Sequence, residues 1–301
     1  MTHADSYAHV HQRSIQERDT FWREQASRID WQRQPEQICD TSQPPFARWF
    51  AGGTTNLCHN AVDRHVATRG DQAALIFVST ETGSERTINY RQLLREVETT
   101  AAMLQSLGVR QGDRVLLYMP MIPEAIIAML ATVRLGAIHS VVFGGFASAS
   151  LASRIDDARP KVIVTADAGS RGGKVVAYKP LLDDALRLAT HQVDHVLLVD
   201  RGLAPAKRLP PRDVDHAKLR EQHRHAQVPC TWVDATHPSY ILYTSGTTGK
   251  PKGVQRDTGG YAVALATSMD QIYQGKAGET FFCTSDIGWA VGPSYIVSGP
   301  L

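Results

Sequence analysis

The run Tyr243-Thr244-Ser245-Gly246-Thr247-Thr248-Gly249-Lys250-Pro251-Lys252-Gly253 has the residue types and spacing to hold phosphate. Glycines let the backbone turn tightly enough for several N–H groups to converge on phosphate oxygens. The hydroxyls of Thr244, Ser245, Thr247 and Thr248 add neutral donors, and Lys250 and Lys252 add positive charge. A flexible Ser/Thr/Gly linker has a similar composition, but no use for two lysines flanking a proline at the end of a predicted strand. A Walker A loop needs GxxxxGK followed by Ser or Thr. Here Gly246 and Gly249 are too close and Pro251 follows Lys250, so a P-loop kinase or GTPase is excluded on spacing. Arg171-Gly172-Gly173-Lys174, taken alone, reads as a solvated basic turn. His216, His223 and His225 match neither a zinc-finger nor a zincin spacing and read as solvated surface, so no metal site is assigned.

A phosphate loop needs a strand to deliver it and a helix to receive it. Tyr240 to Tyr243 reads as that strand, and Gly260 to Tyr273 as a helix with Ala262, Leu265, Ala266, Met269 and Ile272 on one face. Upstream strands are predicted at 74–78, 114–118, 138–143, 161–165 and 195–199, and a later one at 280–283. Helices are predicted at 90–107, 123–135, 149–158 and 181–189, with Gly108 and Gly136 ending the first two. This alternation predicts an α/β fold, mostly parallel sheet with helices on both faces. Ligands in such sheets lie beyond the carboxyl ends of the strands.

Residues 1–65 differ: a helical pattern at 14–29 leads into a segment punctuated by Pro44, Pro45, Gly52 and Gly53. They read as an extension packed on a domain of residues 66–301, with no core of their own. The final run, Tyr295 to Leu301, is apolar and uncapped, and reads as cut through a buried element.

Composition narrows the partners. With 43% hydrophobic and 21% charged residues the chain is an ordinary globular protein, and a net charge of +2 gives no reason to expect nucleic acid or an anionic membrane. The 4 cysteines form no CxxC pair, which argues against a zinc ribbon or disulfide scaffold and suits a reducing cytoplasm. The longest apolar stretch, Ala125 to Val133, is too short to span a bilayer.

The loop at 243–253 resembles the signature loop of the acyl-adenylate-forming superfamily. FWREQASRIDW (21–31), YMPMIPEA (118–125), GAIHSVVFGGF (136–146), DDARPKVIVTADAGSRGGK (156–174) and DIGWAVGPSYIV (286–297) resemble its acetyl- and propionyl-CoA synthetase branch. ARWFAGGTTNLCHNAVDRH (47–65) and GVQRDTGGYAVALATSMD (253–270) look more like the propionate-activating members.

The resemblance implies an AMP-forming ligase that joins propionate or acetate to coenzyme A, using ATP and Mg²⁺ through an acyl-adenylate. It implies that Thr244, Ser245, Gly246, Thr247, Thr248, Gly249, Lys250 and Lys252 hold the ATP phosphates. Coenzyme A would meet Phe143, Gly144, Gly145, Arg171, Gly172, Gly173, Lys174 and Val291. Trp289, Ala290 and Val291 would border the acyl pocket, with Ala290 where the family usually carries Val. Lys174 would contact phosphate as a point charge where acetate enzymes typically show a second arginine. The resemblance also implies that the family's C-terminal domain is absent, so no catalytic residue is assignable within the chain and the chain alone is expected to be inactive. Pro293 and Ser298 depart from the family's His and Tyr, which predicts an altered loop after Trp289. A noncatalytic nucleotide- or CoA-binding remnant is the alternative from another class.

Overall fold

The computed structural model describes residues 6–244 and 251–301. Helices α1 (Tyr7–Gln16) and α2 (Arg18–Ala26) lead to the antiparallel hairpin β1 (Gln37–Gln43) and β2 (Phe46–Ala51). The turn read at Pro44-Pro45 is the tip of this hairpin, whose polar strands hid it from a reading based on apolar runs. The short β3 (Thr54–Thr55) and a π-helical turn (His59–Asp63) follow, continuing into α3 (Arg64–Arg69). Ile38, Phe50, Leu57 and Val62 bury their side chains in the same core as the downstream helices.

Strands β4 (Ala73–Val78) and β5 (Glu85–Asn89) form a separate antiparallel pair. Helix α4 (Tyr90–Ser106) starts on a capping box, in which the Asn89 side chain accepts from Gln92 N and the Gln92 side chain from Asn89 N. Then come β6 (Arg114–Tyr118), α5 (Pro123–Arg134), β7 (Ile138–Val141), α6 (Ser148–Ala158) and β8 (Val162–Ala166). The hairpin β9 (Ala168–Arg171) and β10 (Lys174–Ala177) precedes α7 (Tyr178–Leu188), β11 (His195–Val199), β12 (Asp213–Asp215) and α8 (His216–His223). The chain proceeds through β13 (Val233–Asp234), β14 (Pro238–Thr244), β15 (Lys252–Asp257), α9 (Gly259–Gln271) and a second π-helical turn (Gly292–Ser298).

The main sheet has seven strands in the order β12-β11-β8-β6-β7-β14-β15, parallel except for the last pair. The period-2 alternation of β6 sorts its side chains: Val115 and Leu117 join the core under α4, α5 and α9, while Leu116 and Tyr118 join the core under α6 and α7. Helices therefore cover both faces, as a parallel sheet requires. Strand β15 was not anticipated, because KGVQRD lacks an apolar run; it is an exposed edge strand held by pairing with β14. Residues 280–283, read as a strand, are not one. Phe282 is 82% exposed, and the segment pairs with no strand among the described residues. An apolar run without a ladder partner has nowhere to place its N–H and C=O groups as a strand.

Two histidines, one buried and one half-buried, couple this fold to pH. His139 on β7 stacks on Tyr240 at 5.5 Å with no hydrogen-bond partner for Nδ1, and burial lowers its pKa to about 3. Burial, then Arg64 and Arg69, lower that of His65 to about 4. Both values lie below the ordinary 6.5, so between pH 6.5 and 4 the unfolded chain binds more protons than the folded one. Stability is fully present above pH 6.5 and falls as the pH drops through this window. Urea midpoints at pH 7.5, 6 and 4.5 should decrease in that order, and a flat series would contradict the burial of neutral imidazoles.

Candidate functional site

The carboxyl ends of β6, β7 and β14 leave the sheet on one edge, set by the parallel register Val115↔His139↔Tyr240. After β7 the chain turns through Phe143-Gly144-Gly145-Phe146, closed by Phe146 N donating to Phe143 O at 3.1 Å. Tyr118 Oη at the end of β6 donates to the carbonyls of Gly144 (3.3 Å) and Phe146 (3.2 Å). A Cβ on Gly144 would lie 2.1 Å from Tyr178 Oη, and one on Gly145 would lie 2.4 Å from both the Phe143 ring and Arg171 Nη1. Glycine at these positions permits approach by an aromatic and a guanidinium that a methyl group would block.

The basic turn read at 171–174 is the tip of the β9–β10 hairpin. Gly172 (φ +58°) and Gly173 (φ +77°) form a two-residue turn with Arg171 and Lys174 paired across it. This aims the Arg171 guanidinium over the Phe143 ring, 5.2 Å from its centroid. Ser170 N donates to Glu81 Oε1 at 2.7 Å, and Arg201 bridges Glu81 to Ala168 O, so the hairpin is held from behind. Lys174, opposite Arg171 in the hairpin, is exposed.

Trp289 arrives from a third direction. Gly288 N donates to Asp286 Oδ1 at 2.7 Å, and Trp289 N to Asp286 O at 3.2 Å, fixing a tight turn. The Trp289 ring lies 5.4 Å from Phe143 at 32° and 6.4 Å from Phe146 at 71°. At 47% exposed, it forms an open aromatic wall. Burial raises the Asp286 carboxyl above its ordinary range, opposed by the Gly288 N–H and by Arg171. Ala290 and Val291 follow on the surface, beyond the aromatic cluster. Pro293, expected to disturb this loop, sits in the first turn of the π-helical segment, where its missing N–H needs no partner.

At the end of β14, Thr244 pairs with Lys252 on β15. Ser245, Gly246, Thr247, Thr248, Gly249 and Lys250 lie outside the described residues. Helix α6 ties this stem to the aromatic cluster, a link that sequence reading missed. Its Arg154 places one guanidinium 4.3 Å from the Phe146 centroid and 5.5 Å from that of Tyr243. One turn on, Asp157 Oδ2 accepts from Tyr243 Oη at 2.6 Å. The i, i+3 spacing of Arg154 and Asp157 was legible as one helix face. What they touch, however, was not.

The structure thus brings together Phe143, Gly145, Arg171 and Trp289, and sets the Thr244–Lys252 stem beside them through Arg154. An aromatic face flanked by a guanidinium suits a planar base with phosphate attached. A cavity of about 860 Å³ lies elsewhere, between β4 and the segment 276–283, and contains none of the residues assigned to ATP, coenzyme A or the acyl group. Nor do the described residues offer Mg²⁺ a cage. Their one group of three close metal-ligating side chains is Cys58, Asp63 and Cys230, a soft donor set with Arg134 against it, whereas Mg²⁺ takes oxygen. Among the described residues no helix is long and apolar enough to cross a membrane.

Comparison with known proteins gives the family of the chain. The family profile described as "AMP-binding enzyme" matches residues 62–301, and that described as "Acetyl-coenzyme A synthetase N-terminus" matches residues 7–61. The chain is 64% identical, over 98% of its length, to 47% of a protein named propionate–CoA ligase from Escherichia coli (strain K12). It is 46% identical over 98% of its length to 46% of an acetyl-coenzyme A synthetase from Methylobacterium radiotolerans. The chain spans about half the length of the curated relatives it matches. Among solved structures, an acetoacetyl-CoA synthetase from Streptomyces lividans superposes with a TM-score of 0.89 at 30% identity, covering 98% of this chain and 45% of that one. The chain belongs to the AMP-binding enzyme family, in the branch that begins with the acetyl-coenzyme A synthetase N-terminal segment.

Proposed function

We propose that this chain supplies the phosphate- and thiol-binding part of an AMP-forming acyl-CoA synthetase whose acid is propionate. The observation that carries the reading is the meeting of Phe143, Gly145, Arg171 and Trp289, from three separate stretches of sequence, beside the stem of the phosphate loop. In the first half-reaction a propionate oxygen attacks the α-phosphorus of ATP, and the bond to the departing pyrophosphate breaks. Thr244, Lys252 and the intervening Ser245, Gly246, Thr247, Thr248, Gly249 and Lys250 hold the β- and γ-phosphates and stabilise the charge gathering there. In the second, the coenzyme A sulfur attacks the acyl carbon, AMP departs, and the thiol proton goes to solvent. Arg171 and Lys174 attract the nucleotide end of coenzyme A, the open backbone of Gly172 and Gly173 gives it room, and Phe143, Gly144 and Gly145 receive it. Trp289 walls the acyl group, with Ala290 and Val291 completing an apolar border.

In this reading residues 1–65 are an extension to the domain formed by 66–301, and the protein acts in the cytoplasm on small molecules. Names carried by relatives support the acid: propionate for the E. coli ligase at 64% identity, against acetyl-coenzyme A synthetase at 46%. Pyrophosphate–ATP exchange by the protein that carries this chain should depend on propionate, with a higher kcat/KM for propionate than for acetate. The reverse order would assign acetate. Binding of ATP and coenzyme A without exchange for either acid would leave a binding remnant.

Ala290→Val fills part of the apolar border. One methylene is worth about 1–3 kcal/mol in such a pocket, so the ratio of kcat/KM for propionate over acetate should fall about fivefold or more. An unchanged ratio would remove Ala290 from the acid's surroundings.

A further inference from the structure

Cys58, Asp63, Arg134 and Cys230 meet where the N-terminal segment packs on the end of α5, about a group that neither half-reaction uses. Cys58 is fully buried and Cys230 partly exposed. Both thiols are aimed at the same oxygen, Asp63 Oδ2, at 3.9 Å from Cys58 Sγ and 3.7 Å from Cys230 Sγ. The three ligand atoms lie within 4.8 Å of one another. Contact with Cys58, and then burial, push the Cys230 thiol up. Arg134 Nη1 donates to Cys58 Sγ at 3.5 Å and to Asp63 Oδ2 at 2.8 Å.

That guanidinium decides between two chemistries. Two sulfurs and a carboxylate at this separation resemble three corners of a zinc site. Arg134 already brings a fixed positive charge into contact with two of the three, so an added divalent cation meets repulsion where it needs to bind. The same guanidinium holds the Cys58 sulfur beside the Asp63 oxygen that Cys230 also reaches, which keeps the two sulfurs within range of each other.

We propose that Cys58 and Cys230 are a redox dithiol, a modification site that hydrogen peroxide or an organic hydroperoxide closes to a disulfide. The Cys58 sulfur attacks one peroxide oxygen and the O–O bond breaks. The other oxygen takes the thiol proton and leaves as water, or as the alcohol when the oxidant is an organic hydroperoxide, and Cys58 becomes a sulfenic acid. The Cys230 sulfur then attacks the Cys58 sulfur, and its proton leaves with the sulfenic hydroxyl as water. Two thiols are oxidised by two electrons and one peroxide is reduced. Cys230, with its partial exposure, is the side on which the oxidant arrives.

The bond would staple the N-terminal segment to the chain entering β14. The contacts there already run parallel to it. Asn56 Nδ2 donates to Thr231 O at 2.8 Å, β3 pairs with β13, and Ala235 N donates to Gly53 O at 2.8 Å. Beyond β14 lies the phosphate loop, so oxidation would stiffen the connection that carries it.

The test is titration of the intact protein with hydrogen peroxide, followed by digestion without reductant and peptide mass analysis. One linked peptide pair containing Cys58 and Cys230 is expected, about 2 Da lighter than the two thiol peptides together, with free thiols in this chain falling from four to two. Dithiothreitol should restore all four. Cys230→Ser should abolish the linked pair while Cys283→Ser leaves it, and because Cys230 is partly exposed its serine variant is expected to fold. Recovery of Cys58 and Cys230 as separate sulfinic acids, or linked to other cysteines, would overturn the proposal. So would one zinc ion per chain in protein purified without chelator and lost in Cys230→Ser.

Discussion

Replacing Arg134 with methionine should cost about 3–5 kcal/mol of stability, the range for breaking a buried ion pair by removing one partner. Arg134 is 2% exposed and closes the C-terminal turn of α5. Its guanidinium binds Asp63 with two nitrogens, at 2.8 and 3.0 Å, reaches Glu98 at 3.4 Å, and donates through Nε to Val228 O. Methionine fills much of the volume but strands two carboxylates and a carbonyl. Burial already raises the Glu98 carboxyl above its ordinary value, and loss of the arginine would push it further. The penalty should therefore shrink as pH falls and the carboxylates are neutralised by protons. Denaturant titrations of both proteins at pH 7.5 and 5 would show it. A loss below about 1 kcal/mol at pH 7.5 would place the network with surface ion pairs, and α5 would owe its position to packing alone.

The second large effect is expected at Gly288. A Cβ there would lie 2.6 Å from Phe143 N and 2.7 Å from Phe143 Cα. Both obstacles are backbone, anchored by Val142 N donating to Leu117 O in the sheet at 2.8 Å. The turn carrying Trp289 must therefore move away, opening the contact between Trp289 and Phe143. Overpacking of this kind costs about 1–3 kcal/mol. Because the strain falls on the aromatic wall, coenzyme A affinity in Gly288→Ala should drop about tenfold or more, with only a few degrees lost from the melting midpoint. Calorimetric titration with coenzyme A beside a thermal melt separates the two. Unchanged affinity would detach the Trp289 wall from the thiol substrate.

How far these sites could be read in advance follows from which residues announce themselves. Strands β6 and β11 stand at the residues predicted, because buried parallel strands are short apolar runs between breakers. The edge strand β15 and the β1–β2 hairpin did not register, since an edge strand owes its form to the neighbour it pairs with. Conversely, Phe281 and Phe282 suggested a strand that has no partner among the described residues. At the site, glycine-rich turns were legible as turns. Their purpose was not: nothing in RGGK says that Arg171 is aimed over Phe143. Arg154 was the hardest to see, being one arginine in an ordinary helix whose partners stand 8 residues before it and 89 after it.

That helix has a consequence for how the protein can change over generations. Phe146, Arg154, Asp157 and Tyr243 form one chain of contacts, two rings sharing one cation and a phenol sharing one carboxylate. A lineage that loses Arg154 loses the reason to keep both neighbours aromatic, and one that loses Tyr243 leaves Asp157 without its donor. Drift at these four positions should therefore be concerted. Aligned relatives would show them kept or exchanged as a set, while the surface of the same helix varies freely.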